Sequence, residues 1–160
     1  MLKVSGLLER ESFGAPVALR RGADGQWMEA EKGANRRSIY VAQVRTRPIA
    51  FLHTFDAPTM TADNQVQRFR SALPSQALAL MNGPLAMRAG KAFADQVWEQ
   101  NQGNVRDAMT RAFEAAYARP PTERERTIAE KAIAAEDDPK EGLRLFLQAL
   151  LGTNDFLYSW

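Results

Sequence analysis

The chain has no cysteine and a single histidine. Lack of cysteine excludes a disulfide, a thiolate zinc site, a covalent haem attachment motif and a Cys nucleophile. One histidine excludes a multi-histidine metal site within the chain. The redox compartment stays open, because cysteine-free domains occur on both sides of a membrane. Charge of one sign is also lacking: 21 basic side chains face 19 acidic ones, a net of +2, so no strong polyelectrolyte partner is implied. The balance is uneven, with 11 basic against 7 acidic residues in positions 1–70 and 10 against 12 in positions 71–160. A small basic patch fits the first part. A basic helix, a nucleic-acid-binding motif and interleaved aromatics are all missing, so nucleic acid is not an expected partner. No apolar run approaches the roughly 20 residues that span a bilayer. The opening MLKVSGLLERES lacks the apolar core of a signal peptide and reads like the interior of a longer protein behind a Met.

What is present is ordinary globular material. With 160 residues, 45% hydrophobic and 25% charged, the chain has the size of one domain and can bury a sizeable core. It carries no internal repeat and no low-complexity tract. The expectation is a single domain over 1–160, mixed and extended over 1–73 and helical over 74–160, forming the C-terminal part of a longer multidomain protein. In the first part, Leu2, Val4, Leu7 and Leu8 form a short amphipathic segment ended by Gly14 and Pro16. Val17, Leu19, the Asp24-Gly25 turn signal and Trp27 predict a hairpin or ribbon. Partial alternation over 37–45 predicts a short strand through Ile39 and Val41. Pro48 opens a brief helical turn through Phe51 and Leu52, and 56–73 reads as a polar loop.

From Pro74 onward the period is helical. One helix starts at Pro74 and another near Pro84, the latter running to about Gln100. Asn104 is a good N-cap. Val105, Ala108, Met109, Ala112, Phe113, Ala116 and Tyr117 then form a single stripe that Pro120-Pro121 ends. Thr122 and Glu125 have capping-box spacing and open a charged helix to about Ala135, with Ile128, Ala129, Ala132 and Ile133 as a narrow seam. Mostly polar, this helix faces solvent or lends its seam to an upstream domain. Asp138-Pro139 starts the last helix, carrying Leu143, Phe146, Leu147, Leu150 and Leu151, and Gly152 stops it. The predicted fold is mainly α: four to five helices in an irregular bundle, with a small extended or β-ribbon portion in the N-terminal third.

Candidate chemistry gathers in the middle of the chain. His53 and Asp56 are near enough in sequence for an acid/base pair, but Asp before Ala-Pro more often turns the chain by bonding backbone N–H groups. Arg36, Arg37 and Arg70 have the planar fork that suits sulfate, phosphate or a uronate; the competing reading has them pinning the Asp56 loop by ion pairs. Gln76 and Asn82 are amides six residues apart in an apolar helical stretch, better suited to clamping loop backbone than to reading a sugar. Trp27, Trp98, Trp160, Tyr40 and Tyr158 are the aromatics available for stacking on a ring, though such residues usually serve cores and interfaces.

Five strings carry a resemblance: RRSIYV at 36–41, FDAP at 55–58, RSALPSQALALMN at 70–82, AFEAAYARPPTERE at 112–125 and FLQALLGTNDFLYSW at 146–160. In that order and spacing, with the opening VSGLLERESFGAPV, they resemble the planctomycete-type family called domain of unknown function 1553. Ser71-Ala72 stand where that family usually has Thr-Thr, and ADNQVQRFR replaces a loop that often holds a Cys or a basic pair. The resemblance implies an exported or periplasmic bacterial multidomain protein connected with polysaccharide breakdown. It also implies an upstream partner domain and a cytochrome-c-like haem domain upstream; this chain itself needs no cofactor and no metal. No catalytic set carries over. The expected role is a structural or partner- and ligand-binding module, the ligand being a carbohydrate or an anion held near Arg36, Arg37, Asp56, Arg70, Gln76 and Asn82. The alternative is a fragment of a carbohydrate-active enzyme with Asp56 as acid/base. That reading needs a second carboxylate about 5–10 Å away, and Asp63 is the nearest by sequence.

Overall fold

The computed structural model describes residues 1–57 and 73–157. Their architecture is mainly helical, with one two-stranded antiparallel hairpin near the N-terminus. The chain divides into two compact units, one of residues 8–79 and one of residues 1–7 with 80–160, the division falling inside a helix.

In the first unit, strand β1 (Leu19–Arg21) pairs with β2 (Trp27–Glu29), with Leu19 opposite Glu29 and Arg21 opposite Trp27. The turn between them forms where Asp24-Gly25 predicts it. The Asp24 carboxylate accepts the Gln26 amide at 3.0 Å, and Gly25 takes a φ of +80°, which costs glycine nothing. Val17, Val41 and Ile49 are buried together, with Leu19 and Leu52 packed on them. The strand expected over 37–45 is instead a 3₁₀ turn, Ser38–Tyr40, after which Val41 bridges to Val17. Local bonds from the Tyr40 amide to the Arg37 carbonyl and from the Val41 amide to the Ser38 carbonyl replace a ladder. The turn leaves Ile39 81% exposed, so the apparent alternation marks no buried face. Helix α1 (Ala50–Thr54) follows Pro48 as expected. The polar loop expected at 56–73 lies mostly outside the described residues, and α2 (Pro74–Asn82) follows it.

The second unit is a bundle of α3 (Pro84–Gln100), α4 (Val105–Tyr117), α5 (Glu123–Ile133) and α6 (Pro139–Leu150), ending in the short α7 (Asn154–Leu157). Their starts are set by local chemistry. Asn104 accepts the amides of Arg106 and Asp107, Thr122 and Glu125 form the reciprocal capping box, and Asp138 accepts the Lys140 amide ahead of Pro139. Helix α4 stops where Ala118 turns left-handed at φ +56°, just before Pro120-Pro121. The N-terminal amphipathic segment is a set of turns rather than a helix, and Met1 and Val4 pack on the bundle.

Helix α6 is the hub, packing on α3, α4 and α5. Its Leu143, Leu147 and Leu150, with Leu151 just beyond, meet Phe93, Val97, Met109 and Phe113 in one core. Glycine makes the close approach possible: a Cβ on Gly142 would lie 2.3 Å from the Ile133 carbonyl oxygen, so α6 touches the backbone end of α5 there. The expected seam of α5 is half right. Ala129 and Ile133 are buried under α6, but Ala132 is exposed and Ile128 is 54% exposed, because the helix turns them away from that contact. No helix among the described residues is long and apolar enough to cross a membrane.

Candidate functional site

Two places hold polar groups that ordinary helix packing does not explain. The first lies in the unit of residues 8–79. Arg36 and Arg37 are sequence neighbours with opposite fates. Arg36 is 8% exposed, its guanidinium lies 4.4 Å from the Tyr40 ring centre, and it donates to the Ala15 carbonyl at 3.0 Å and the Phe13 carbonyl at 2.5 Å. Two charge-assisted bonds to backbone tie the strap at 13–15 onto the 3₁₀ turn. Arg37 is exposed and donates to the Tyr40 hydroxyl at 3.2 Å, leaving most of its fork to solvent. Hydrogen bonds to Tyr40 from Ser12 and the Phe13 backbone hold its hydroxyl below the usual tyrosine range, with Arg37 adding to the effect.

Asp56 closes α1. Its φ is +54°, its amide donates to the His53 carbonyl, and the next amide, of Ala57, reaches back to the Leu52 carbonyl at 3.0 Å. That is a Schellman pair, with aspartate in the left-handed position that glycine usually holds. Gln76 is 9% exposed and bonds to both Thr54 at the end of α1 and Leu73 just before α2. Its amide nitrogen donates to the Thr54 carbonyl at 3.0 Å, and its oxygen accepts the Leu73 amide at 3.3 Å. Asp56 and Gln76 each make a further interaction beyond these. Asn82, at the end of α2, is exposed, and so is His53 on α1. Arg70 and Asp63 lie outside the described residues. Trp27 stacks under Arg47, whose guanidinium is 4.8 Å from the ring, and Trp98 packs on the bundle core. Tyr158 and Trp160 lie outside the described residues. Thus the structure brings Arg36 to Tyr40 and the 13–15 strap, and brings Gln76 to the end of α1.

Sequence reasoning missed the second place. A hollow of about 330 Å³ opens in the helical unit beside α4, α5, α6 and α7. Phe113, Phe146, Leu150 and the exposed Ile128 give it apolar walls. The Phe113 ring meets Tyr117 edge-on at 5.3 Å and Phe146 in a near-parallel stack at 6.2 Å, so the three rings form one wall. The rim is polar. The Tyr117 hydroxyl and the Thr153 hydroxyl are 2.7 Å apart, and Thr153 in turn donates to the Leu150 carbonyl. Glu125 takes both Arg119 nitrogens at 2.8 and 2.7 Å, while Asp155 stands 3.8 Å from the same guanidinium with its side chain 65% exposed. Burial pushes the Tyr117 hydroxyl above the usual tyrosine range, and the charges of Asp155 and Glu125 push it the same way. The only sequence signals were Glu125 as a capping residue and an isoleucine on a polar helix.

Arg119's hydrogen bonds bring the Glu125 carboxyl down from 4.5 to about 2, against the opposing effect of partial burial; Thr122 adds to the lowering. A depressed carboxyl contributes stability that is fully present above its unfolded value and is lost as pH falls from about 4.5 toward 2. Arg119 is partly open to water, so screening keeps the net contribution small. Glu125→Gln therefore melts below the wild type at pH 7, and the gap narrows below pH 4.5 until most of it is gone near pH 2. Thermal melts at pH 7, 4.5, 3 and 2 check this; a gap as wide at pH 2 as at pH 7 would assign the loss to packing.

Among the described residues no group of three or more His, Asp or Glu side chains is arranged to hold a metal ion. A family model described as PSD1, protein of unknown function (DUF1553), matches residues 1–133. No curated protein and no solved structure matches the chain.

Proposed function

Because the chain belongs to the PSD1 family, protein of unknown function DUF1553, we propose that it serves as a noncatalytic structural and binding module in an exported bacterial protein of polysaccharide breakdown. The observation that carries the reading is where the middle polar side chains go. Arg36 spends its guanidinium on two backbone carbonyls, and Gln76 spends its amide on Thr54 and Leu73. Asp56 is itself the left-handed residue whose backbone ends α1. The Arg36 and Gln76 side chains, bound to backbone in this way, brace the chain. Arg37 keeps an exposed fork and is the residue of this set best placed to meet a carbohydrate acid or another anion. The family resemblance supports the remaining parts of the proposal: a periplasmic or extracellular setting, an upstream domain of the same protein as partner, and haem carried there instead of in this chain.

The test combines stability, binding and turnover. Arg36→Ala leaves two carbonyls without their charged donor and lowers stability by about 2 kcal/mol. On a glycan and anion array, Arg37→Ala loses any signal the wild type gives while melting like it. The wild type releases no reducing sugar from a polysaccharide panel. Sugar release that disappears in Asp56→Asn, with folding intact, would overturn the proposal and make Asp56 an acid/base group.

A further inference from the structure

The hollow beside α4, α5, α6 and α7 belongs to the helical unit and needs an account of its own. Ile128 is the informative residue. A branched apolar side chain on a helix that is otherwise polar outside would be expected to turn inward, yet it is 54% exposed and lines the hollow. Burying such a side chain contributes about 1.5–3 kcal/mol, and this fold leaves most of that unused. The aromatic wall beside it is preformed, since Phe113 is held between Tyr117 and Phe146. An open apolar hollow of this size accepts one or two large side chains, the anchor-in-pocket arrangement that dominates protein recognition.

The rim decides what accompanies the anchor. Glu125 and Asp155 bring two negative charges, and Arg119 brings one positive charge that Glu125 already holds through both nitrogens. The remaining excess is negative, and it sits on Asp155, which is exposed and only loosely paired. A partner with a carboxylate would meet like charge there; one with a cation would complete the set. We propose that this hollow docks a protein segment that presents a large apolar side chain with a lysine or arginine within one helical turn of it. The segment's apolar side chain covers Ile128 and the Phe113–Phe146 wall, and its cation pairs with Asp155. This does not rest on the bracing role assigned to the N-terminal unit and stands or falls separately.

A library of random 12-residue peptides displayed on phage, panned on the full chain and counter-selected on Ile128→Asp, tests it. The enriched sequences are expected to pair Leu, Ile, Met or Phe with Lys or Arg at close spacing. The best synthetic peptide, followed by fluorescence anisotropy, is expected to bind at least tenfold more weakly to Ile128→Asp. It is expected to bind about threefold more weakly to Asp155→Asn, with a matching loss at high salt. Both substituted side chains are exposed, so unchanged melting curves keep loss of fold out of the result. Failure to enrich, enrichment of acidic or purely apolar sequences, or binding indifferent to Ile128→Asp would each overturn the proposal. Sedimentation of the chain alone supplies one more decisive outcome. Self-association that Ile128→Asp abolishes would make a second copy the occupant and end the case for a basic segment.

Discussion

Phe93→Ala is expected to be the most damaging single truncation, costing about 3–5 kcal/mol. Phe93 is fully buried on α3, in the same core as Val97, Met109, Leu143 and Leu147. Losing the ring removes its transfer free energy and leaves a hole that the helices fill only in part. For a chain of this length each kcal/mol moves the melting point by about 2–4 °C, so the drop is on the order of 10 °C. Denaturant melts give the free energy directly. If the hole persists it stays apolar and dry, and benzene then recovers part of the loss. A loss under 1 kcal/mol would mean that the core does not close around this ring.

Gly142→Ala comes next and tests geometry rather than volume. Alanine is the better helix former by about 1 kcal/mol, so at an open helical site the change would stabilise. Here the new methyl would lie 2.3 Å from the Ile133 carbonyl oxygen and 3.0 Å from the Ile133 Cα. Backbone on a neighbouring helix cannot swing aside as a side-chain tip can, so α6 must back away from α5. We expect a net loss of about 2–3 kcal/mol, the range of forced overpacking. Gly90→Ala is the internal comparison. Its nearest neighbours are the Gln148 Cβ at 2.9 Å and Cα at 3.1 Å, atoms as fixed as backbone but less closely approached than at Gly142, so the loss is smaller. Urea melts of both variants rank the two effects, and a stabilised Gly142→Ala would show that the two helices do not approach so closely.

The parts of this structure that were legible in the sequence are those decided within a few residues. Asn104, the Thr122–Glu125 pair and Asp138-Pro139 each satisfy amides of the helix they begin, so spacing alone locates α4, α5 and α6. Asp24-Gly25 likewise specifies its own turn. What was not legible is set at a distance. Nothing local distinguishes Arg36 from Arg37; burial of the first depends on carbonyls more than 20 residues earlier. Alternation through Ile39 imitates a strand, but a local 3₁₀ turn takes the backbone bonds. Ile128 fits a helical seam by period and misses it by orientation, since only the angle at which α5 lies on α6 decides which apolar residues are covered. The hollow exists because residues from 113 to 155 converge, and no window of sequence contains that information.

The span that the family model matches is shorter than the span that builds the helical core. The family model's match ends at Ile133, the last residue of α5, just where α6 comes to rest against the carbonyl of that residue. Everything supplied by Leu143, Leu147, Leu150 and Leu151 lies beyond it. Four buried leucines are worth on the order of 6–12 kcal/mol, as much as the whole net stability of a typical domain. A protein trimmed at the edge of its family match would thus leave Phe93 and Met109 without the leucines that cover them.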